Sequence, residues 1–170
     1  VSMRLKANEL IGSMGPKGLK LYRALYDPQA HQLYEEATAS ASPERLLRRL
    51  SERYLHTTYG PQALEMLGAL YFDRARFSQA ALCLRQLLPV APDGSPRATL
   101  LAKVVVAHHL AGEANLAVQA ADELGKKYAG MTAMLGGQER KLVEFAAQVR
   151  TLPTAVVEAA LQQQNDWPGL

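Results

Sequence analysis

Four histidines and one cysteine are the side chains here best able to hold a metal or attack a substrate: His31, His56, His108, His109 and Cys83. His108 and His109 are neighbours. On a helix they point about 100° apart, so they do not chelate one ion together. Glu113 follows His109 by four residues, but Gly112 breaks the helix between them. Zinc asks for three or four protein ligands, and this pair lacks a third. His108 falls where a packed, hydrogen-bonded core residue is expected. His56 falls at a helix end, where a donor to free carbonyls is welcome. A lone cysteine excludes an internal disulfide. Cys83, set between Ala80 and Leu87, reads as a structural thiol. There is no GxSxG, P-loop, HExxH or GxGxxG, and Gly136-Gly137 reads as a turn. The expectation is no catalytic residue, no metal and no cofactor, and so no enzyme.

Charge narrows the partners. The 170 residues carry 19 Lys and Arg against 16 Asp and Glu, a formal net charge of +3. A nucleic-acid binder usually concentrates more positive charge on one face. Arg45, Arg48, Arg49 and Arg53 crowd one helix, but Glu44 and Glu52 offer local ion pairs, so a solvated face is the favoured reading. No run of 18 apolar residues exists, and membrane insertion is not expected. The first residues have too short an apolar stretch for a secretion signal. Opening on Val1 reads as the mark of an excised domain.

The elements that position these residues are helices. From Tyr59 to Pro92, Leu64, Leu67, Gly68, Tyr71 and Phe72 form one apolar stripe, and Phe77, Ala80, Ala81, Leu84, Leu87 and Leu88 form a second. This is a helical hairpin, with Gly68 and Ala80 expected where the helices cross. Leu101, Val104, Val105 and His108, then Ala117, Ala120, Ala121, Leu124 and Tyr128, give a degenerate copy. Ala117 lies 37 residues after Ala80. A third hairpin is expected over 28–56. In it Asp27 caps a new helix starting at Pro28, and Ser42-Pro43-Glu44 starts the next. A helix is expected over Glu139–Arg150, and a last one from Thr154 to Leu161. The fold class is all-α, stacked antiparallel hairpins with about seven to nine helices, as one domain over 1–164. Its hairpins lie at 28–56, 61–91 and 97–129, and 165–170 form a tail.

Leu64, Leu67-Gly68, Tyr71, Phe77, Ala80, Leu84 and Pro92 resemble the tetratricopeptide repeat. Ala75 replaces its usual turn glycine and Leu87 a usual alanine. Three further stretches are similar to the helical region before the propeller in PQQ-like, outer-membrane-assembly-factor-like β-propeller proteins of bacteria, frequent in planctomycetes. They are LYRALYDPQAHQLYEEA (21–37), RYLHTTYG (53–60) and AALCLRQLL (80–88). Asp166-Trp167-Pro168-Gly169 resembles the opening of their first blade. This resemblance implies a non-enzymatic scaffold for protein–protein contacts within a larger propeller protein, in an extracytoplasmic, periplasmic setting. It implies a protein or peptide partner, with a propeller domain of the same chain as one candidate. The repeat resemblance puts Gln62, Glu65, Ala69, Phe72, Asp73, Thr99, Ala102, Val106 and His109 on a concave binding face. The competing reading is that terminal helices bury Phe72 and Val106. Glu65 and Ala69 replace the Lys and Asn of repeats that clamp acidic chaperone tails, so that ligand is not expected. The alternatives are a nucleic-acid module on the Arg45, Arg48, Arg49 and Arg53 face, or homo-oligomerisation through apolar end helices.

Overall fold

Asp27-Pro28 is the strongest break signal in the first part of the chain, and the helix runs straight through it. In the computed structural model, which describes residues 3–135 and 137–163, α1 spans Met3–Gly12 and α2 spans Pro16–Ala39 without interruption. An interior proline loses one N–H and crowds the preceding turn, at about 3 kcal/mol. Ala30, Leu33 and Ala37 beyond it are buried, and burying a leucine alone contributes about 1.5–3 kcal/mol. The packing of α2 on α3 (Glu44–Arg53) therefore outweighs the break. Nor does Ser42 cap α3. Pro43 occupies the N-cap, with no side-chain hydrogen bond there.

Asp27 caps elsewhere. Its Oδ1 accepts the backbone N–H of Thr58 at 2.9 Å and its Oδ2 the Thr58 hydroxyl at 2.8 Å. Thr58 immediately precedes α4 (Tyr59–Asp73), so an acid on α2 sits where the free N–H groups of α4 begin. The buried Thr57 completes the turn. Its hydroxyl donates to the Tyr54 carbonyl at 2.6 Å and accepts from the N–H of Gly60 at 3.2 Å. A Cβ at position 60 would lie 2.2 Å from the Tyr54 oxygen and 2.6 Å from the Leu55 Cα, so only glycine fits. The stretch 54–58 is thus the turn between α3 and α4, with His56, Thr57 and Thr58 all hydrogen-bonded.

The chain divides within α4 into two compact units, one covering Val1–Leu67 and the other Gly68–Leu170. The second contains the end of α4, then α5 (Phe77–Leu87), α6 (Ser95–Leu110), α7 (Ala114–Tyr128), β1 (Thr132–Leu135), β2 (Gln138–Lys141), α8 (Leu142–Thr151) and α9 (Thr154–Gln163). The fold is all-α, with nine helices and one small strand pair among the described residues. Gly68 lies opposite Cys83 and Leu84 at ordinary contact distance, 3.6 and 3.8 Å from an added Cβ. It is not the steric necessity that a close crossing would make it.

The 37-residue offset holds in the backbone. The Arg76 N–H bonds to the Tyr71 carbonyl at 2.8 Å, and the Glu113 N–H to the His108 carbonyl at 2.9 Å. Ala75 bonds to Phe72 as Gly112 bonds to His109. Ala75 has φ 54°, and Gly112 has φ 74°. Arg76 and Glu113 share nearly one conformation, with φ −93° and ψ 59° against φ −90° and ψ 60°. Two hairpin turns are built alike, residue for residue.

The expected helix over Glu139–Arg150 starts late. β1 and β2 pair antiparallel, Thr132 with Lys141 and Leu135 with Gln138. Two glycines in sequence between two short stretches are a strong hairpin signal, because tight hairpin loops require positive φ, and Gly137 has φ 74°. QERK, exposed throughout, hid the strand by having no apolar side.

Candidate interaction surface

The nine residues expected on one binding face divide when placed on their elements. Gln62 and Glu65, on the part of α4 in the first unit, are exposed. Further along α4, Asp73 is exposed and Ala69 half-buried. Phe72 turns inward. It meets Phe77 edge-on at 5.7 Å between ring centres and packs on the cluster of Val106, Leu110, Val149 and Val157. On α6, Thr99 is half-buried, while Ala102 and Val106 are each 1% exposed. His109 is also occupied. Its Nε2 donates to the Leu152 carbonyl at the end of α8, at 3.0 Å. Helices α8 and α9 therefore cover the side of α6 carrying Val106 and His109. Ala102 and Val106 are not groove residues but core, and burial by the terminal helices is what the structure has.

The cause is legible on α6 itself. Every residue from Leu101 to His108 is buried, Lys103 included. A helix apolar on all sides needs neighbours on all sides, and α6 packs against α5, α7, α8 and α9.

His108 is the only buried histidine among the described residues. Its Nδ1 lies 2.6 Å from Glu113 Oε2, and the ring is 4% exposed. Arg85 Nε, which can only donate, approaches Nε2 at 3.5 Å. Nε2 thus accepts, and the ring proton is on Nδ1, donated to Glu113. Glu113 Oε1 also accepts the Ser78 hydroxyl at 2.8 Å. These bonds hold the Glu113 carboxyl below its ordinary pKa, the His108 contact contributing most and Ser78 next. Ser78 donates to the carboxylate and not to the imidazole, so Ser78 and His108 meet only through Glu113. The cluster joins α5, α6 and the turn before α7. His108 is a packed, hydrogen-bonded core histidine, as its position implied.

His56 does something other than cap its own helix. Its Nε2 donates to the Asn8 carbonyl of α1 at 2.9 Å, and Arg23 Nε donates to the His56 carbonyl at 3.1 Å. A Cβ added to Gly12 would come 2.9 Å from the imidazole, so this glycine leaves room for the ring. Burial lowers the His56 pKa, against the opposing pull of the Asn8 carbonyl. Cys83 is buried. Among the described residues, no group of three or more His, Cys, Asp or Glu could hold a metal ion. Among them, too, no helix is long and apolar enough to cross a membrane. The Trp167 stretch lies outside the described residues, as does the proposed tail over 165–170.

A shallow depression of about 540 Å3 lies beside the strand pair and α8, lined by Thr132, Glu139, Arg140, Glu144 and Gln148 among others. Its lining is mixed in charge and mostly exposed, unlike the apolar, enclosed sites that take small molecules. No protein-family model, curated protein or solved structure matches the chain. The fold alone sets the class: an all-α protein with two hairpin turns of one pattern.

Proposed function

We propose that this chain is a non-enzymatic, tetratricopeptide-like scaffold domain for protein–protein contacts, carried by a larger bacterial protein with a PQQ-like β-propeller. The observation that supports it is the repeated turn. Two hairpins with one hydrogen-bond pattern at a 37-residue offset are what a helical-repeat array is made of. The exposed positions Gln62 and Glu65 in the first unit, and separately Asp73 in the second, are what α4 offers a partner. With Ala102 and Val106 buried, the recognition surface is smaller than a full repeat groove.

The test has two arms. The coding sequence downstream of Leu170 should hold tandem tryptophan-containing blades, and their absence refutes the propeller part. The domain and the downstream segment, made separately, should bind in calorimetry, and Glu65→Arg with Asp73→Arg should weaken binding about tenfold. Binding unchanged by those substitutions refutes the α4 surface. Substrate turnover that disappears in His108→Gln would refute the non-enzymatic reading.

A second reading has one observation in its favour. Leu10, Leu21 and Leu25 are 62, 63 and 59% exposed. Apolar side chains left out on end helices suit homo-oligomerisation. Light scattering that gave a monomer at all concentrations would refute it.

A further inference from the structure

The sequence ERLLRRLSER of α3 buries Leu47 and Leu50 and leaves four arginines and two glutamates outside. They do not form one evenly paired face. Glu44 and Arg48 pair at 3.1 Å on one flank, and Glu52 continues that flank one turn on. On the other flank Arg45, Arg49 and Arg53 follow one another at i, i+4 and i+8, all exposed. None of these three guanidinium groups has a hydrogen bond or ion pair among the described residues. A helix rises 1.5 Å per residue, so the three cations stand about 6 Å apart along its axis.

The stripe ends on an aromatic surface. Tyr22 and Tyr26 have ring centres 4.7 Å apart, and Tyr26 lies 6.3 Å from Tyr54. The Tyr22 hydroxyl donates to the Arg53 carbonyl at 3.3 Å, which fixes the cluster at the Arg53 end. Tyr26 is 41% exposed. Arginine beside tyrosine is the composition enriched where proteins bind proteins.

We propose that Arg45, Arg49 and Arg53, with Tyr26 at their end, dock an acidic helix of a partner protein. Carboxylates at i, i+4 and i+8 on the facing helix repeat at the same spacing of about 6 Å. Each guanidinium takes a carboxylate through two N–H bonds. An apolar residue about one turn beyond the last carboxylate meets Tyr26. A polyphosphate fits less well. It would run past Glu44 and Glu52 on the neighbouring flank, which a partner helix of mixed charge tolerates and a nucleic acid does not. The inference rests on the scaffold reading only in taking the partner to be a protein. It uses a different surface from α4.

The test is fluorescence anisotropy with a labelled helical peptide of about 15 residues, carrying Glu at i, i+4 and i+8 and Phe four residues beyond. A control peptide of the same composition puts Glu at i, i+6 and i+12, about 120° apart around the helix and off any common face. The first peptide should bind, and the control about tenfold more weakly or not at all. Arg49→Gln should weaken binding about tenfold, and Arg45→Gln with Arg53→Gln should abolish it. Arg48→Gln, with the same net charge as Arg49→Gln, should leave it unchanged. Equal binding of the two peptides overturns the proposal, as does binding of neither. Equal losses in Arg48→Gln and Arg49→Gln overturn it. So does stronger competition by oligothymidylate or by phosphatidylserine vesicles at the same ionic strength. Glu65→Arg with Asp73→Arg should not change affinity for this peptide, so failure here and failure of the α4 surface are read separately.

Discussion

Ala75 and Gly112 occupy the same place in two copies of one turn, and exchanging their residue types should move stability in opposite directions. Ala75 holds φ 54°, the one non-glycine with positive φ among the described residues. An L-residue in that conformation costs about 1–2 kcal/mol. Ala75 is exposed, so removing its methyl loses little packing. Glycine adds about 0.5–1 kcal/mol of unfolded-chain entropy that must be given up on folding. The difference leaves Ala75→Gly more stable by about 0.5–1 kcal/mol. Gly112, at φ 74°, has nothing within 4 Å of where a Cβ would stand. Gly112→Ala therefore meets no clash, and its cost is purely conformational, about 0.5–1 kcal/mol in the other direction. Urea unfolding should show the midpoint rising in the first variant and falling in the second, with the slope unchanged. Melting temperatures should move by about 2–4 °C per kcal/mol. If Ala75→Gly proved less stable than the parent, the strain argument would fail at its source. If only Gly112→Ala changed stability, the two turns would not be energetic equivalents, whatever their shared hydrogen bonds.

Gly60→Ala should destabilise by about 3 kcal/mol or more, because its Cβ meets backbone atoms of Tyr54 and Leu55 that cannot turn aside; thermal unfolding unchanged from the parent would refute that turn. Glu113→Gln should flatten the acid limb of the stability curve. The folded carboxyl has a lowered pKa, so its contribution is full above the unfolded value of about 4.3 and is lost as pH falls through the lower folded value; identical acid limbs in parent and variant would exclude it. His56 also has a lowered pKa. The unfolded chain then takes up the proton first, and stability at α1 should decline as pH falls through about 6.5. Amide exchange in α1, corrected for intrinsic rates, should show this in the parent and not in His56→Asn.

The parts of the fold that were legible had one apolar side. α5 and α7 bury Ala80, Leu84, Ala117 and Leu124 as their stripes require, and the offset between them carried through to the turn hydrogen bonds. The misreadings came from residues whose local meaning was overridden. Asp27-Pro28 has every mark of a helix start, but a cap acts on whichever free N–H groups are nearest in space. Those belong to Thr58, 31 residues away. Arg85, Ser78 and Glu113 could not be grouped around His108 from spacing alone, since they come from one helix and a turn and His108 from another helix. The signal for the strand pair was present in Gly136-Gly137, but QERK has no buried side to betray a period of two.

The α6 helix bears most directly on where a partner can be met. A helix that lines a groove needs one side against its own hairpin and another side polar enough to face water when the groove is empty. LLAKVVVAHHL has no such second side. Its one buried cation, Lys103, is enclosed with the rest, and its half-buried His109 is already bonded to Leu152. The covering helices α8 and α9 are thus a consequence of α6 and not an addition to it. Removing them would expose Val106 and Leu110 rather than open a binding site, and Phe145→Asp should lower stability without creating affinity for any peptide. Recognition by this chain, on the scaffold reading, then falls to helices whose outer sides are charged: α4 through Glu65 and Asp73, and α3 through its unpaired arginines. Those surfaces bind by charge and register, so their affinity should fall with salt, whereas a buried apolar groove on α6 would be nearly indifferent to it. Salt titration of any partner found for this protein therefore discriminates between the two descriptions, and salt-insensitive binding would return the site to α6.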